Sequence, residues 1–164
     1  MKKFFVCVLL IVVIGGIAFS QESRDWNWAG TVRFKPAASI LPLLIGVLEG
    51  VVDWVPYVSP NVGIPIEFDV AYISGAGIFG YSIMAGIEGI VGSQKEKNGL
   101  YLSALAGPMI IENVVLFNAK ADIGYQLVTD GGFVFTPAVG VKYSSINGFG
   151  YDVMLDIGFA YKKR

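Results

Sequence analysis

The chain has 164 residues, enough for one domain once any targeting segment is removed. Hydrophobic residues make up 54% of it and charged residues only 15%, whereas a soluble domain carries about a quarter charged residues and a chain of this size cannot easily hide so much apolar surface from water. With 12 basic residues, 13 acidic ones and no histidine, the sequence gives no sign of a basic nucleic-acid-binding surface or of histidine chemistry. Lipid as part of the solvent explains this composition best.

Residues 1–20, MKKFFVCVLLIVVIGGIAFS, have the layout of a secretory signal peptide. A basic start precedes an apolar stretch, and Ala18 and Ser20 supply the small residues at −3 and −1 of a cleavage site. The alternative is an uncleaved membrane anchor, but the polar QESRD that follows favours cleavage. Cys7 lies inside the apolar stretch rather than at its end, which argues against lipidation. We therefore expect residues 21–164 to form one exported domain that contains no cysteine.

Two architectures satisfy backbone hydrogen bonds in lipid, α-helices and closed β-barrels. Residues 38–57 and 73–92 are apolar and long enough to suggest helices of a polytopic inner-membrane protein. Both are rich in glycine and β-branched residues, however, and Glu49 and Asp53 interrupt the first. Much of the remaining chain alternates between apolar and polar residues with a period of two, which indicates strands.

This alternation is clearest in five segments, which in chain order lie near residues 26–35, 64–72, 115–127, 133–143 and 151–162. In the third, apolar odd positions alternate with even positions that include Asn118, Lys120 and Asp122. We predict eight strands, at about 26–36, 43–55, 62–73, 78–91, 99–108, 114–127, 133–143 and 150–162. The turn sequences YVSPN, SGAG, SQKEKN, TDGG and SSINGFG separate most of them. An even number of strands returns both ends of the domain to one side.

Some stretches fit this pattern less well. Pro65 and Pro137 fall inside predicted strands, where a residue without an N–H predicts a bulge or a short break. The connections at 37–42 and 109–113 carry weaker turn signals. The strand at 99–108 has no clean alternation, so its register stays open.

The composition of the polar face distinguishes a membrane barrel from a soluble, lipocalin-like binding barrel of the periplasm. It mixes small residues with isolated charges, which suits the cramped lumen of an eight-stranded barrel. A hydrated outer surface would carry many long charged side chains instead. We therefore predict an all-β fold, an eight-stranded antiparallel up-and-down transmembrane β-barrel with its apolar face toward lipid.

Aromatic residues of the apolar face gather toward the strand ends, as in the two aromatic belts of membrane barrels. The predicted interface residues are Trp26, Trp28, Trp54, Tyr125, Phe133 and Tyr161 at one boundary and Tyr72, Phe79, Tyr81, Tyr143 and Tyr151 at the other. The alternative is that these rings simply pack a core.

The predicted lumen contains a set of charged residues: Arg33, Lys35, Glu49, Asp53, Glu67, Asp69, Glu88, Lys120, Asp122, Lys142 and Asp156. In a low-dielectric interior such charges must pair or be hydrated. Because seven acids face four bases, two hypotheses remain open, a charge network that fills the lumen and a narrow cation-favouring pore. Eight strands leave an interior that side chains just fill, which favours the filled lumen.

No catalytic constellation accompanies these charges. Glu67 and Asp69 share one face of a strand, but no histidine or Gly-x-Ser-x-Gly motif stands beside them for acid–base or nucleophilic catalysis, and no calcium-loop motif surrounds them or Asp122. We expect no enzyme activity, no catalytic residues, no cofactor and no metal site. The predicted loops are short, which favours a compact structural role over that of a receptor or adhesin.

The segments GLYLSALAG (Gly99–Gly107), KADIGYQLVTDGGFVFTPAVGVKY (Lys120–Tyr143) and DVMLDIGFAY (Asp152–Tyr161) carry a family resemblance. With them the chain resembles the small outer-membrane barrels of the OmpA/OmpX/OmpW-like kind and, more narrowly, a family of short barrels found in bacteria such as spirochaetes. The resemblance implies a porin-like monomer in the outer membrane of a Gram-negative (diderm) bacterium. Its partners would be outer-membrane lipid and, during insertion, the outer-membrane assembly machinery, with no nucleic acid. OmpW-like relatives further imply passage of small hydrophobic molecules as an alternative function.

Overall fold

A computed structural model of the protein describes residues 28–36, 46–93 and 98–162. The predicted signal peptide, Trp26 and the 37–42 connection lie outside the described residues. The described chain forms β1 (Trp28–Phe34), β2 (Val47–Ser59), β3 (Val62–Gly63), β4 (Ile66–Ile73), β5 (Ile78–Ser93), β6 (Asn98–Ile111), β7 (Val114–Val128), β8 (Phe133–Ser144) and β9 (Gly148–Lys162). Within these ranges, no helix has the length and apolar content needed to cross a bilayer.

The strands close into an antiparallel barrel. Neighbours in sequence pair with one another, and β1 completes the ring by pairing with both β2 and β9. Because β3 and β4 both lie between β2 and β5, they count as one interrupted strand of the barrel. The prediction of an eight-stranded antiparallel up-and-down barrel is confirmed.

The two ends of the barrel differ in what they carry. Trp28 and Lys162 lie at the same end, together with the turn between β7 and β8, and this is named the terminal end. The other end, named the distal end, carries the turns at 74–77, 112–113 and 145–147. An even number of barrel strands produces this arrangement.

The strands are strongly staggered around the barrel. Successive pairings lead from Val32 through Trp54, Ile66, Ala85, Ala106, Ala119 and Tyr143 to Phe149. Val32 itself pairs with Phe159, ten residues further along β9. A stagger of this kind tilts strands by roughly 40° and leaves an interior that side chains can just fill.

Glycine lets neighbouring strands approach closely at two positions of the barrel wall. A Cβ atom on Gly86 would lie 1.9 Å from the carbonyl oxygen of Ala104, and one on Gly158 would lie 2.0 Å from that of Val32. No side chain tolerates such contacts, so glycine is required at both positions for steric reasons.

Proline interrupts the strand pairing at the predicted places. Pro65 lies in the break between β3 and β4, where it has no N–H to donate, although its carbonyl accepts a 3.1 Å hydrogen bond from the Gly86 N–H. Pro137 stays inside β8 and pairs with Leu155, but the pairing of β8 with β7 is interrupted beside it.

Two predicted turns are shorter in the structure. β2 continues through Tyr57, which pairs with Gly63 instead of lying in a turn. β6 continues to Ile111, which pairs with Val114. The remaining two-residue turn holds Glu112 in the left-handed region, at φ 55°. Apolar residues beyond the predicted strand ends extend both ladders, so the turn boundaries predicted at 57–61 and 109–113 are wrong.

Candidate functional site

The barrel lumen collects the charged residues of the described strands. Of the predicted lumen residues, Arg33, Lys35, Asp53, Glu67, Glu88, Lys120, Asp122 and Asp156 are buried, Glu49 and Asp69 are half-buried, and Lys142 is exposed. Asp152, which the prediction omitted, also lies on the inner face. All of these occupy the inward positions of the strand alternation.

Arg33 is the centre of the network. It is 1% exposed, and three carboxylates surround its guanidinium group. Its Nη2 lies 2.7 Å from Glu88 Oε2 and 3.2 Å from Asp53 Oδ2, while its Nε lies 3.5 Å from Asp156 Oδ2. Asp53 and Asp156 lie on β2 and β9, the two strands that flank β1, whereas Glu88 on β5 reaches Arg33 from a strand that does not pair with β1.

Two lysines continue the network toward the distal end. Lys35 Nζ lies 3.2 Å from Asp53 Oδ2 and also contacts the Glu67 carboxylate, which accepts a further contact from Lys120. Met154 packs between the two ammonium groups, with its sulfur 3.6 Å and 3.8 Å from them. Ion pairs therefore run without interruption from Arg33 to Lys120.

Lys142 does not belong to this network, contrary to the prediction. It pairs across strands with Lys120 but is exposed, and it makes no ion pair among the described residues. Lys142 lies near the distal end of β8, where the residue stays in contact with water, and an ion pair at such an exposed position would contribute little to stability.

The buried network has more acceptors than donors. Three buried cations face five buried carboxylates, since Asp122 adds to the four acids in contact with Arg33 and the lysines. Among the described residues, Asp53 Oδ1, Glu88 Oε1, Asp122 Oδ1 and Asp156 Oδ1 have no hydrogen-bond partner. Because an uncompensated buried charge is costly, these carboxylate oxygens are the groups of the network that most lack a donor.

An apolar cluster closes the lumen at the terminal end. It contains Trp28, Val55, Tyr57, Ile90, Val128 and Val134, all buried and in contact with one another. It lies on the terminal side of the Arg33 ion pairs, so apolar side chains close the lumen at this end. Lys162 lies over this apolar cluster, with its Nζ 5.2 Å from the centre of the Trp28 ring.

The placement of Trp28 corrects a prediction. Trp28 was expected in the outward aromatic belt, but it is only 8% exposed and lies inside the barrel. The register of β1 on β9 shifts between Trp28 and Gly30, and such a bulge moves the preceding side chain to the other face.

The other predicted interface aromatics that are described point outward. Trp54, Tyr125, Phe133 and Tyr161 lie toward the terminal end, and Tyr72, Phe79, Tyr81 and Tyr151 toward the distal end, all exposed. Tyr143 is half-buried and its ring centroid lies 5.1 Å from that of Phe149. Trp54 Nε1 donates a 2.9 Å hydrogen bond to the Tyr161 hydroxyl. This bond links β2 to β9 on the outer surface, across the short strand β1 that lies between them.

Three uncharged lumen residues were not identified from the sequence. The fully buried Tyr101 ring faces Arg33, with the guanidinium carbon 5.4 Å from its centre. Gln126 accepts from Arg33 Nη1 at 3.4 Å and donates to the Tyr57 hydroxyl at 3.3 Å. Gln126 occupies an inward position of a clearly alternating strand, so the alternation could have predicted that its side chain lies in the lumen. Tyr101 was hidden by the weak alternation of β6.

Comparison with known proteins adds one structural likeness. No family model matches the chain, and no curated protein matches it. Among solved structures, a chain described as "De novo design of transmembrane beta-barrels" is similar, with 16% sequence identity and a TM-score of 0.43 over 87% of this chain and 100% of that chain.

Proposed function

We propose that the protein is an integral outer-membrane β-barrel with a structural role in the cell envelope and a filled, non-conducting lumen. The observation that carries the proposal is the outer face of the barrel. On β7 that face presents Val115, Phe117, Ile123, Tyr125 and Leu127, all exposed. No described strand places an Asp, Glu, Lys or Arg at an outward position.

The height of this apolar surface fits a bilayer. At ~3.3 Å per residue and a tilt of roughly 40°, the stretch from Val115 to Leu127 rises about 30 Å. The hydrocarbon core of a bilayer has about that thickness. Exposed aromatic rings near both ends of the barrel would then lie where lipid meets water.

The distribution of polarity argues against a soluble, lipocalin-like barrel. A soluble binding barrel needs a hydrated outer face, since large contiguous apolar patches are rare on soluble monomers. Here the charges face inward and the large apolar side chains face outward. An apolar outer face of this kind is suited to contact with lipid rather than with water.

The filled lumen supports a structural role over a cation-favouring pore. The ion pairs from Arg33 to Lys120 and the apolar cluster around Trp28 occupy successive levels of the barrel. In the proposed role the partners are outer-membrane lipid and, during insertion, the assembly machinery. The family resemblance of the sequence is compatible with this role, and the export signal would deliver the chain to it.

Membrane fractionation of the full chain in a diderm host, combined with far-UV circular dichroism, tests the proposal. We expect the protein in the outer-membrane fraction, with a β-type spectrum in detergent and migration on a denaturing gel that changes on heating. A monomer that stays soluble in buffer without detergent, or a helical spectrum, would contradict the membrane role.

Planar-bilayer recording tests the lumen separately. We expect no discrete conductance steps from the inserted barrel, because ion pairs and apolar side chains block the path. Reproducible cation-selective steps would contradict the filled lumen while leaving the membrane location intact.

A further inference from the structure

The distal half of the lumen contains a water-accessible space, named the distal vestibule. Its wall carries the half-buried Glu49, Asp69 and Asp152 and the exposed Lys142. Its floor is the buried layer around Lys120. Acids therefore outnumber bases along the wall, and the vestibule ends blindly on the ion-pair network.

One buried carboxylate extends toward this space with an unused oxygen. Asp122 is 4% exposed, and its Oδ2 accepts a 3.2 Å hydrogen bond from the Ser103 hydroxyl. Its Oδ1 has no hydrogen-bond partner among the described residues. That atom lies only 2.2 Å from the point where a Cβ of Gly140 would stand, so Asp122 reaches over β8 through the space that glycine leaves free.

Gly140 places this carboxylate opposite a second one. It pairs with Asp122 on β7 and with Asp152 on β9, so the two acids flank a position without a side chain. One buried and one half-buried carboxylate thus stand on either side of a position without a side chain, which is the point of the wall where a cationic group would be held.

The opposite wall offers an apolar surface beside a single acid. A cavity of about 60 Å³ is lined mainly by Ala71, Ile73, Ile78 and Met109 together with Asp69. Asp69 Oδ1 also has no hydrogen-bond partner in the described part of the chain. A ligand for this wall combines methylene groups with a positive charge.

We propose that the distal vestibule binds an aliphatic diamine or polyamine. A primary ammonium group has donors and no acceptor, so it supplies what the free carboxylate oxygens lack. One ammonium group binds between Asp122 and Asp152, the methylene chain lies along the cavity, and a second ammonium group binds Asp69.

The acids of the vestibule do not form a metal-ligand set. Among the described residues, no three His, Cys, Asp or Glu side chains come together as metal ligands. The acids of the vestibule lie on β2, β4, β7 and β9, so a chain with more than one ammonium group can meet more than one of them. Entry is from the distal end, because the network around Arg33 closes the other side.

Isothermal titration of spermidine into the detergent-folded full chain at low ionic strength tests the proposal. We expect one saturable site and about tenfold weaker binding for Asp122→Asn and for Asp152→Asn, since a hydrogen bond to a charged group contributes roughly a factor of ten or more. The matched control is Asp130→Asn, which removes an exposed charge from the turn at the terminal end and leaves the affinity unchanged.

Several results would overturn the proposal. These are equal affinities for all the variants, loss of affinity in the control as well, or calcium ions that bind at the same carboxylates more tightly than spermidine does. If Asp122→Asn does not fold, Asp152→Asn carries the test, because its side chain is only half-buried. The titration needs only a folded barrel, so failure of the membrane role and failure of polyamine binding give different results.

Discussion

Replacing Arg33 by methionine removes the central cation of the lumen and leaves Asp53, Glu88 and Asp156 without it. The methionine keeps much of the side-chain volume but satisfies none of the three carboxylates. Removing one partner of a buried ion pair costs about 3–5 kcal/mol, a large part of the roughly 5–15 kcal/mol that holds a typical domain folded. We expect the free energy of unfolding to fall by about that amount.

Urea unfolding of the barrel in lipid vesicles, followed by tryptophan fluorescence, measures the change. Lys142→Met is the matched control, because it makes a comparable substitution on the same inner face at an exposed residue, and we expect no loss of stability. Adding Glu88→Gln to Arg33→Met should restore part of the loss, since one uncompensated charge disappears. An Arg33→Met barrel with the wild-type unfolding midpoint would refute the idea that this network stabilises the barrel.

Three further changes test the wall of the barrel. Gly86→Ala should abolish the heat-modifiable folded band on a gel, because the methyl group meets the backbone of β6, whereas Gly50→Ala, with nothing within 4 Å of its Cβ position, should fold normally. Ile123→Arg should lower the stability of the inserted barrel by about 2–4 kcal/mol in urea titrations in vesicles, because it places a charge on the outer face at mid-depth, and Asn113→Arg in a distal turn should have little effect. Tyr161→Phe removes the hydroxyl that accepts from the indole of β2 and should cost about 0.5–1.5 kcal/mol in the same titration; an unchanged midpoint would mean that this bond contributes nothing to closing the barrel.

The period-two alternation was sufficient to predict the number and order of the barrel strands and the inward direction of most charges. It succeeded because the two faces of each strand meet opposite environments, so that residues such as Lys120 and Ile123 cannot exchange sides. The pattern contains no information on which charges touch. The contact between Arg33 and Glu88 depends on the stagger of the strands, which follows from pairing around the whole ring.

The wrong predictions have local causes. Trp28 faces inward because a single register shift reverses the alternation at the start of β1. Tyr57 was assigned to a turn because proline and asparagine follow it closely, although pairing with β3 keeps it in the sheet. Tyr101 lies in a strand where alanine and leucine occupy both faces, so hydrophobicity alone gives no direction there.

The apolar cluster around Trp28 closes the terminal end of the lumen, so the lumen is open at the distal end only. In the proposed membrane role, the terminal end would face one compartment and the distal end would face the other. In that role, solutes would reach the acidic interior from the distal side only. A reagent confined to the terminal side would then leave the carboxylates at the distal end unmodified, although only about the thickness of a bilayer separates the two ends of the barrel.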